Sequence, residues 1–308
     1  MATAVGVIGV GLMGHGIAFN LVTKGFKVSL LAHPGNQPLD ELTAAGAQVC
    51  PSLADIAEQA SVFILCVTGA PEVEAVLAGE AGLVKWIHPG SCVIDCSTSL
   101  PQTTLHMAKL LQERGCAFLD APMTRLAKEA REGRLNLLVG GEAQTLEAVR
   151  HVLQAFAENI THVGPTGAGH RMKLLHNYVS LGFMTLLAEA AAHAQASGVD
   201  LATFVQVLEA GGGSGAALKR LSPPMLEGNT HSVPFAIGNA LKDLRYYLEM
   251  AADSQAERTV AESIARALAM QAEAGHSKQF MSELIGLMAP MKKTNQGPTR
   301  RPAVMQTE

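Results

Sequence analysis

The chain has 308 residues and a formal net charge of −4 at pH 7, with 48% hydrophobic and 16% charged residues. Its length exceeds the usual size of one domain and predicts two, while the large apolar fraction excludes a disordered chain. Aromatic residues make up only 4% of the chain. Together with the weakly acidic balance, this scarcity argues against a surface that binds nucleic acid.

The cysteine pattern and the N-terminal segment bear on the compartment. The five cysteines, at positions 50, 66, 92, 96 and 116, show no C-x-x-C spacing, which predicts reduced thiols in a cytoplasmic protein and no disulfide or zinc site. No basic segment of the signal-peptide type precedes the first strand pattern. The stretch nearest in length to a membrane span, residues 178–196, carries Glu189 and His193. We therefore expect a buried helix there and no membrane partner.

The first half of the chain alternates short apolar runs with segments of helical spacing. The predicted strands are Val5–Ile8, Lys27–Leu31, Val62–Val67, Cys92–Asp95, Ala117–Leu119, Leu135–Val139 and Ile160–Val163. The predicted helices are Gly14–Thr23, Leu53–Glu58, Glu72–Leu77, Gln102–Glu113 and Ala143–Ala157. This alternation predicts crossover units on a largely parallel, doubly wound sheet, an α/β fold.

The second half has a different character. From Ala168 to Met288 the chain shows almost no alternation of period two, and its runs of Ala, Leu, Met and Glu are interrupted by glycines and prolines. That pattern predicts an all-α domain. We expect an α/β domain over residues 1–163, an all-helical domain over 164–291, and a frayed polar tail over 292–308.

A glycine-rich loop follows the first predicted strand and opens a helix. Its sequence is Gly9-Val10-Gly11-Leu12-Met13-Gly14. Gly9 permits a tight turn, Gly11 lets a pyrophosphate approach the backbone, and Gly14 lets the helix pack closely on the strand. The helix amides, including those of Leu12 and Met13, would meet the phosphates. Within a βαβ unit this spacing predicts binding of NAD(P), although a purely structural glycine turn gives the same pattern.

The end of the second predicted strand bears on the choice of cofactor. The run from Leu30 to Asn36 contains no Asp or Glu to hold a ribose diol. His33 or Asn36 could donate a hydrogen bond to a 2′-phosphate, so the sequence slightly favours NADP over NAD as the cofactor. A polar turn without a binding role fits the same residues.

Four blocks and a fifth short piece together resemble one family. In chain order they are Gly9 to Gly14, Asp95-Cys96-Ser97-Thr98, Asp120-Ala121-Pro122 with Gly133 and Val139-Gly140-Gly141, Gly167 to Asn177, and Lys242-Asp243-Leu244. The chain thereby resembles the β-hydroxyacid dehydrogenase family, which includes 3-hydroxyisobutyrate dehydrogenases and tartronate semialdehyde reductases. The resemblance implies a Rossmann-type domain followed by a helical domain, with the active site in the cleft between them. It also implies NAD(P)-dependent interconversion of a short hydroxy acid and its aldehyde or ketone, by a homodimer or homotetramer.

Lys173 stands at the position of the family's catalytic lysine. Hydride transfer to a carbonyl leaves charge on its oxygen, so an ammonium can donate a proton there, and the neutral amine can accept it in the oxidation direction. Asn177 lies on the same helical face and would orient the lysine or the substrate. His170 and Arg171 crowd positive charge near Lys173, which would lower the pKa of the lysine or attract anions. An exposed surface lysine is the alternative.

Several further site residues are implied by the resemblance. Ser97 would contact the substrate and Thr98 the nicotinamide ribose, since both follow a predicted strand at the carboxyl edge of the sheet. Val67, at the end of another strand, and Lys242 would line the cofactor side. Helix capping by Ser97 or Thr98 and a surface charge at Lys242 are the structural alternatives.

The run after Asp120-Ala121-Pro122 departs from the family. Commoner members have a small residue, Ser and two glycines there, whereas this chain has Met123-Thr124-Arg125-Leu126. Thr124 preserves the hydroxyl, and Arg125 adds a planar fork of donors suited to a small carboxylate, sulfonate or phosphonate. The arginine resembles the sulfolactaldehyde reductase branch.

His176 replaces the family's usual asparagine. It either changes the hydrogen bonding beside Asn177 or packs the helix. We therefore expect an oxidoreductase acting on a three- or four-carbon anionic hydroxy acid or aldehyde. The alternatives are an imine reductase and a non-catalytic, redox-sensing NAD(P)-binding protein.

Overall fold

The computed structural model describes residues 3–289. Its strands are Ala4–Ile8 (β1), Lys27–Leu31 (β2), Gln48–Cys50 (β3), Val62–Leu65 (β4), Cys92–Asp95 (β5), Ala117–Asp120 (β6), Met123–Thr124 (β7), Leu135–Gly140 (β8) and Ala157–Gly164 (β9). Its α-helices are Leu12–Thr23 (α1), Asp40–Ala44 (α2), Leu53–Gln59 (α3), Ala70–Ala78 (α4), Pro101–Glu113 (α5), Ala127–Arg131 (α6), Ala143–Leu153 (α7), Ala168–Ala196 (α8), Leu201–Glu209 (α9), Ala216–Glu227 (α10), Ile237–Asp253 (α11), Thr259–Gln271 (α12) and Leu284–Met288 (α13).

The strands form one sheet in the order β3-β2-β1-β4-β5-β6-β8-β7, with β9 paired to the other strands through β8. Strands β1 to β6 run parallel, and β8 runs antiparallel to β6 and β7. The register pairs Ile8 with Leu65, Leu65 with Asp95, and Asp95 with Asp120. The carboxyl ends of four strands therefore align at one edge, which is where ligands bind in open α/β sheets. The predicted doubly wound α/β fold is confirmed.

Both faces of the sheet are buried. On β4, Ile64 faces the cluster that includes residues of α1 and α7, whereas Phe63 and Leu65 face the cluster formed with α3, α4 and α5. Such alternation follows from the period of two along a strand. It explains why the parallel strands read as continuous apolar runs.

The structure adds two strands to the predicted set and shortens one predicted helix. Strands β3 and β7 were missed because two or three residues are too few to show a period. The helix predicted over Ala143–Ala157 ends at Leu153. Its last apolar residues instead form a turn, with Phe156 fully buried, before β9 begins at Ala157. Apolar spacing alone could not separate a buried turn from a further helical turn.

The second half is helical from α8 to α13, which confirms the predicted all-α region. By internal contacts the described chain divides into two compact units, residues 3–182 with 234–278, and residues 183–233 with 279–289. The sheet, the first half of α8, α11 and α12 belong to the first unit. Within residues 3–289 no helix is both long and apolar enough to cross a membrane. The tail predicted for residues 292–308 lies outside the described residues.

Candidate active site

The glycine loop has the geometry that a dinucleotide requires. Gly9 adopts φ +92°, and a Cβ there would lie 2.3 Å from the carbonyl oxygen of Cys66. A Cβ on Gly14 would lie 2.0 Å from the carbonyl oxygen of Gly9, so only glycine allows this close approach of α1 to β1. At Gly11, by contrast, the space that a Cβ would enter is open to 4 Å. That space is where a phosphate can approach the backbone.

The start of α1 complements the open space. Gly11 precedes the helix in an extended conformation without a side-chain cap, and the first turn carries no acidic residue. The amides of Leu12 and Met13 therefore retain their capacity to donate to an anion. The loop fits the pyrophosphate of NAD(P) in both shape and charge.

The end of β2 borders an open groove of about 590 Å³. None of its lining residues is acidic: Ala32, His33, Pro34, Asn36, Gln37, Pro38 and Leu39. The Asn36 side chain accepts from the amide of Val10 at 3.2 Å and donates to the carbonyl oxygen of Leu31 at 2.9 Å. Asn36 thus holds the glycine loop in place. Because its side chain is already engaged, the exposed His33 is the remaining candidate for binding a 2′-phosphate.

The ends of β4 and β5 are joined through Ser97. Asp95 accepts from the amide of Ser97 at 2.9 Å, and the Ser97 hydroxyl accepts from the amide of Val67 at 3.0 Å. Lys242, on α11, donates to the carbonyl oxygen of Thr68 at 2.8 Å. The structure therefore brings the predicted residues Val67, Ser97 and Lys242 to one side of the sheet edge. Thr98 is partly exposed beside them.

The N-terminus of α8 is fixed by the carboxylate of Asp120. Its two oxygens accept from the amides of Gly167 at 2.8 Å and His170 at 2.9 Å. Burial raises the pKa of Asp120, while the charge of His170 and the two amides act in the opposite direction. A buried carboxylate at a helix N-terminus is stabilised by the helix dipole and by these bonds. Asp120 therefore holds α8 against the end of β6.

The fully buried ring of His170 completes this attachment. Its Nδ1 lies 2.6 Å from the Thr104 hydroxyl and its Nε2 lies 3.1 Å from the carbonyl oxygen of Ser97. The carboxylates of Asp95 and Asp120 each approach within 3.9 Å. His170 thus anchors the first turn of α8, one turn before Lys173.

Lys173 lies half-buried on α8, one turn beyond His170. Its Nζ donates to the carbonyl oxygen of Met123 at 2.7 Å. Burial lowers the pKa of Lys173 to about 8, and the charge of Lys242 contributes in the same direction, while Asp243 opposes it. The predicted lowering is present, but burial causes it rather than the predicted crowding by His170 and Arg171.

Asn177 is 5% exposed and lies one turn beyond Lys173. Its Nδ2 donates to Asp243 at 2.7 Å, and its Oδ1 lies 3.0 Å from Nδ1 of His176. Asp243 also lies 3.0 Å from the ammonium of Lys242. Asp243 therefore connects two predicted site residues, Asn177 and Lys242. Its place in the Lys242-Asp243-Leu244 block was a signal for it, but no sequence pattern shows that it contacts Asn177.

The side chains of Thr124 and Arg125 have different partners in the structure. The buried Thr124 hydroxyl accepts from Nδ2 of Asn136 at 3.2 Å. Arg125 adopts φ +79°, and its guanidinium binds the carboxylate of Glu158 and the carbonyl oxygen of Arg134. In this structure the donors of Arg125 are directed to Glu158, and its predicted grip on the substrate stays a prediction. The left-handed backbone is one that glycine adopts without strain, which matches the glycines of commoner members.

An NAD(P)-binding loop, a half-buried lysine with a lowered pKa and polar groups along the same sheet edge define the class of protein: an NAD(P)-dependent oxidoreductase. Two family models match the chain. The NAD-binding domain of 6-phosphogluconate dehydrogenase matches residues 4–164, and the NAD-binding domain of NADP-dependent 3-hydroxyisobutyrate dehydrogenase matches residues 167–288.

Curated relatives and solved structures agree with these models. The chain is 33% identical over 216 residues to the NAD-dependent L-serine dehydrogenase of Pseudomonas aeruginosa, covering 70% of this chain and 72% of that protein. It is 30% identical to the 2-hydroxy-3-oxopropionate reductase of Escherichia coli, covering 80% and 83%. A structure of Mycobacterium tuberculosis 3-hydroxyisobutyrate dehydrogenase with L-serine superimposes with a TM-score of 0.84 at 26% identity, covering 94% and 99%. The chain belongs to the β-hydroxyacid dehydrogenase family.

Proposed function

We propose that this chain interconverts a three- or four-carbon β-hydroxy acid and the corresponding semialdehyde or ketone, with Lys173 as the general acid and base. The observation that carries the proposal is the environment of Lys173. Its ammonium is held at the carbonyl oxygen of Met123, and its pKa of about 8 lets it exchange a proton near neutral pH.

The protein's part in the reaction is to move one proton and to hold the reacting groups. The bound nicotinamide supplies or accepts the hydride. In reduction, the Lys173 ammonium donates its proton to the carbonyl oxygen as negative charge develops there. In oxidation, the neutral amine accepts the hydroxyl proton. Asn177, fixed by Asp243, is placed one turn away to orient the lysine or the substrate oxygen.

The substrate's acid group is proposed to meet Thr124 and Ser97. Thr124 directly follows Met123, whose carbonyl oxygen holds the lysine ammonium. Two similar proteins are named for three-carbon acids with a hydroxyl or carbonyl group. These observations support a short anionic substrate rather than a long or neutral one.

The first experiment screens L-serine, 3-hydroxyisobutyrate, D-glycerate and L-threonate for reduction of NAD and NADP by the purified protein. Lys173→Met should lower kcat by about a hundredfold or more, the range of general acid-base catalysis, while cofactor affinity stays within about twofold of wild type. The matched control is Lys109→Met, since Lys109 is exposed on α5 and should be replaceable without effect. Near-normal turnover by Lys173→Met would refute the assignment.

We also propose a homodimer or homotetramer. Leu175 and Val179, spaced four residues apart on α8, are 43% and 67% exposed. Large apolar side chains on one helical face are typical of an interface between subunits. Light scattering of the purified protein measures the assembly directly, and a monomer at micromolar concentration would contradict this proposal.

A further inference from the structure

A row of three polar side chains crosses the end of the sheet beside the proposed site. Thr124 on β7 pairs in register with Asn136 on β8, and Asn136 pairs with Asn159 on β9. Nδ2 of Asn159 donates to Oδ1 of Asn136 at 2.8 Å, and Nδ2 of Asn136 donates to the Thr124 hydroxyl at 3.2 Å. The row runs from an exposed residue, Asn159, to a buried one, Thr124.

The two bonds share one direction. An asparagine amide has a donor end and an acceptor end, and Asn159 engages the acceptor end of Asn136. The donor end of Asn136 therefore faces Thr124, and the threonine oxygen acts as the acceptor. Within residues 3–289 nothing accepts a hydrogen bond from the Thr124 hydroxyl. Its hydrogen remains available to a ligand.

We propose that Asn136 and Asn159 are positioning residues that make Thr124 a dedicated hydrogen-bond donor to the substrate's acid group. This inference rests on the proposed function, since it requires an anion at Thr124. A hydroxyl without fixed neighbours can rotate to donate or to accept. With its oxygen already occupied by Asn136, the Thr124 hydroxyl favours ligands that only accept, such as a carboxylate.

The polarity of the row can be reversed from its exposed end. Asn159→Asp replaces the donor with a carboxylate, which only accepts. The Asn136 amide is then expected to turn its donor end to the new carboxylate and its carbonyl oxygen to Thr124. The Thr124 hydroxyl would donate to Asn136 and would be lost to the substrate. Neither Thr124 nor Asn136 is altered in this variant.

The measurement is the steady-state kinetics of the panel acid with the highest kcat/KM, at saturating cofactor. For Asn159→Asp we expect KM to rise about two- to tenfold, the value of one hydrogen bond, with kcat within about twofold of wild type. Asn159→Ala removes the contact without reversing it and should change KM by less than about twofold. Thr161→Asp, on the same exposed side of β9, adds the same charge without joining the row and controls for electrostatics.

A second background tests whether the effect passes through Thr124. In Thr124→Val, adding Asn159→Asp should change KM no further, because the hydroxyl it acts on is gone. Three results would each overturn the proposed role of Asn136 and Asn159. They are an undiminished effect of Asn159→Asp in Thr124→Val, equal effects of Asn159→Ala and Asn159→Asp, and wild-type kinetics for Asn159→Asp. A wild-type protein that oxidises no panel acid refutes the proposed function instead, and that failure is seen before any variant is made.

Discussion

The pKa of Lys173 makes the pH dependence of the reaction a direct test of the site. With a pKa of about 8, the ammonium fraction is about nine tenths at pH 7, one half at pH 8 and one tenth at pH 9. Reduction uses the ammonium, so kcat/KM for the carbonyl substrate should fall about tenfold from pH 7 to pH 9. Oxidation uses the neutral amine and should rise over the same interval.

The assay is the initial rate of cofactor oxidation or reduction between pH 6 and pH 10.5 at fixed ionic strength. Asp243→Asn and Lys242→Met give opposite shifts, because the charge of Asp243 raises the pKa of Lys173 whereas that of Lys242 lowers it. The inflection should therefore move to lower pH in Asp243→Asn and to higher pH in Lys242→Met. An inflection near the ordinary lysine value of 10.5, or shifts of the opposite sign, would refute the reasoning.

The free energy of unfolding should also depend on the protonation of Lys173. The folded-state pKa of Lys173 lies below its unfolded value, so the unfolded chain binds the proton more tightly and the cost is fully present below about pH 8. This lowering of the pKa corresponds to a loss of at most about 3 kcal/mol in the free energy of unfolding. Solvent screening of the partly exposed side chain makes the loss smaller. Lys173→Met should therefore gain stability relative to wild type at pH 7 in urea unfolding, and this gain should shrink by pH 10. A gain that is constant with pH would contradict the linkage.

Two further predictions concern residues at which the chain departs from common patterns. Arg125→Ala should unfold more easily than Arg125→Gly by about 1 kcal/mol in urea, because only glycine adopts φ +79° freely. Neither variant should change KM by more than about twofold, since Glu158 holds the guanidinium; a tenfold rise in KM would restore Arg125 to the anion site. His33→Asp should raise the ratio of kcat/KM for NAD over NADP by about tenfold or more, through repulsion of the 2′-phosphate. An unchanged ratio would show that His33 does not face that phosphate.

Much of the fold could be predicted because burial on two faces leaves a clear trace in sequence. Strands such as Cys92–Asp95 are wholly apolar up to their last residue, and glycine loops separate them from helices. Strand β7 left no trace, since Met123 and Thr124 become a strand only by pairing with β8. Its existence depends on a tertiary contact, which local pattern cannot show.

Some site residues could likewise be predicted from the sequence, and others could not. The family's blocks indicated Lys173, Asn177 and Lys242, but they could not show that Asp243 connects Asn177 with Lys242, because that connection joins α8 to α11. Asn136 and Asn159 carry no motif at all, and their relation to Thr124 arises only from strand register. Residues that act through another residue are the ones a linear pattern misses, since their role is defined by a partner distant in sequence.

Arg125 shows that a side chain suited to an anionic ligand can also have an anionic partner within the protein. A guanidinium in a substrate-binding run suits an anion, and that reasoning considered only the ligand. The structure adds a competitor, Glu158, whose pKa is lowered chiefly by its bond to Arg125. An anion that displaced Glu158 would have to leave that carboxylate without its closest cation, while the Thr124 hydroxyl donates to no acceptor within the part of the chain that the structure describes. The anion is therefore expected at the neutral hydroxyl rather than at the charged residue beside it.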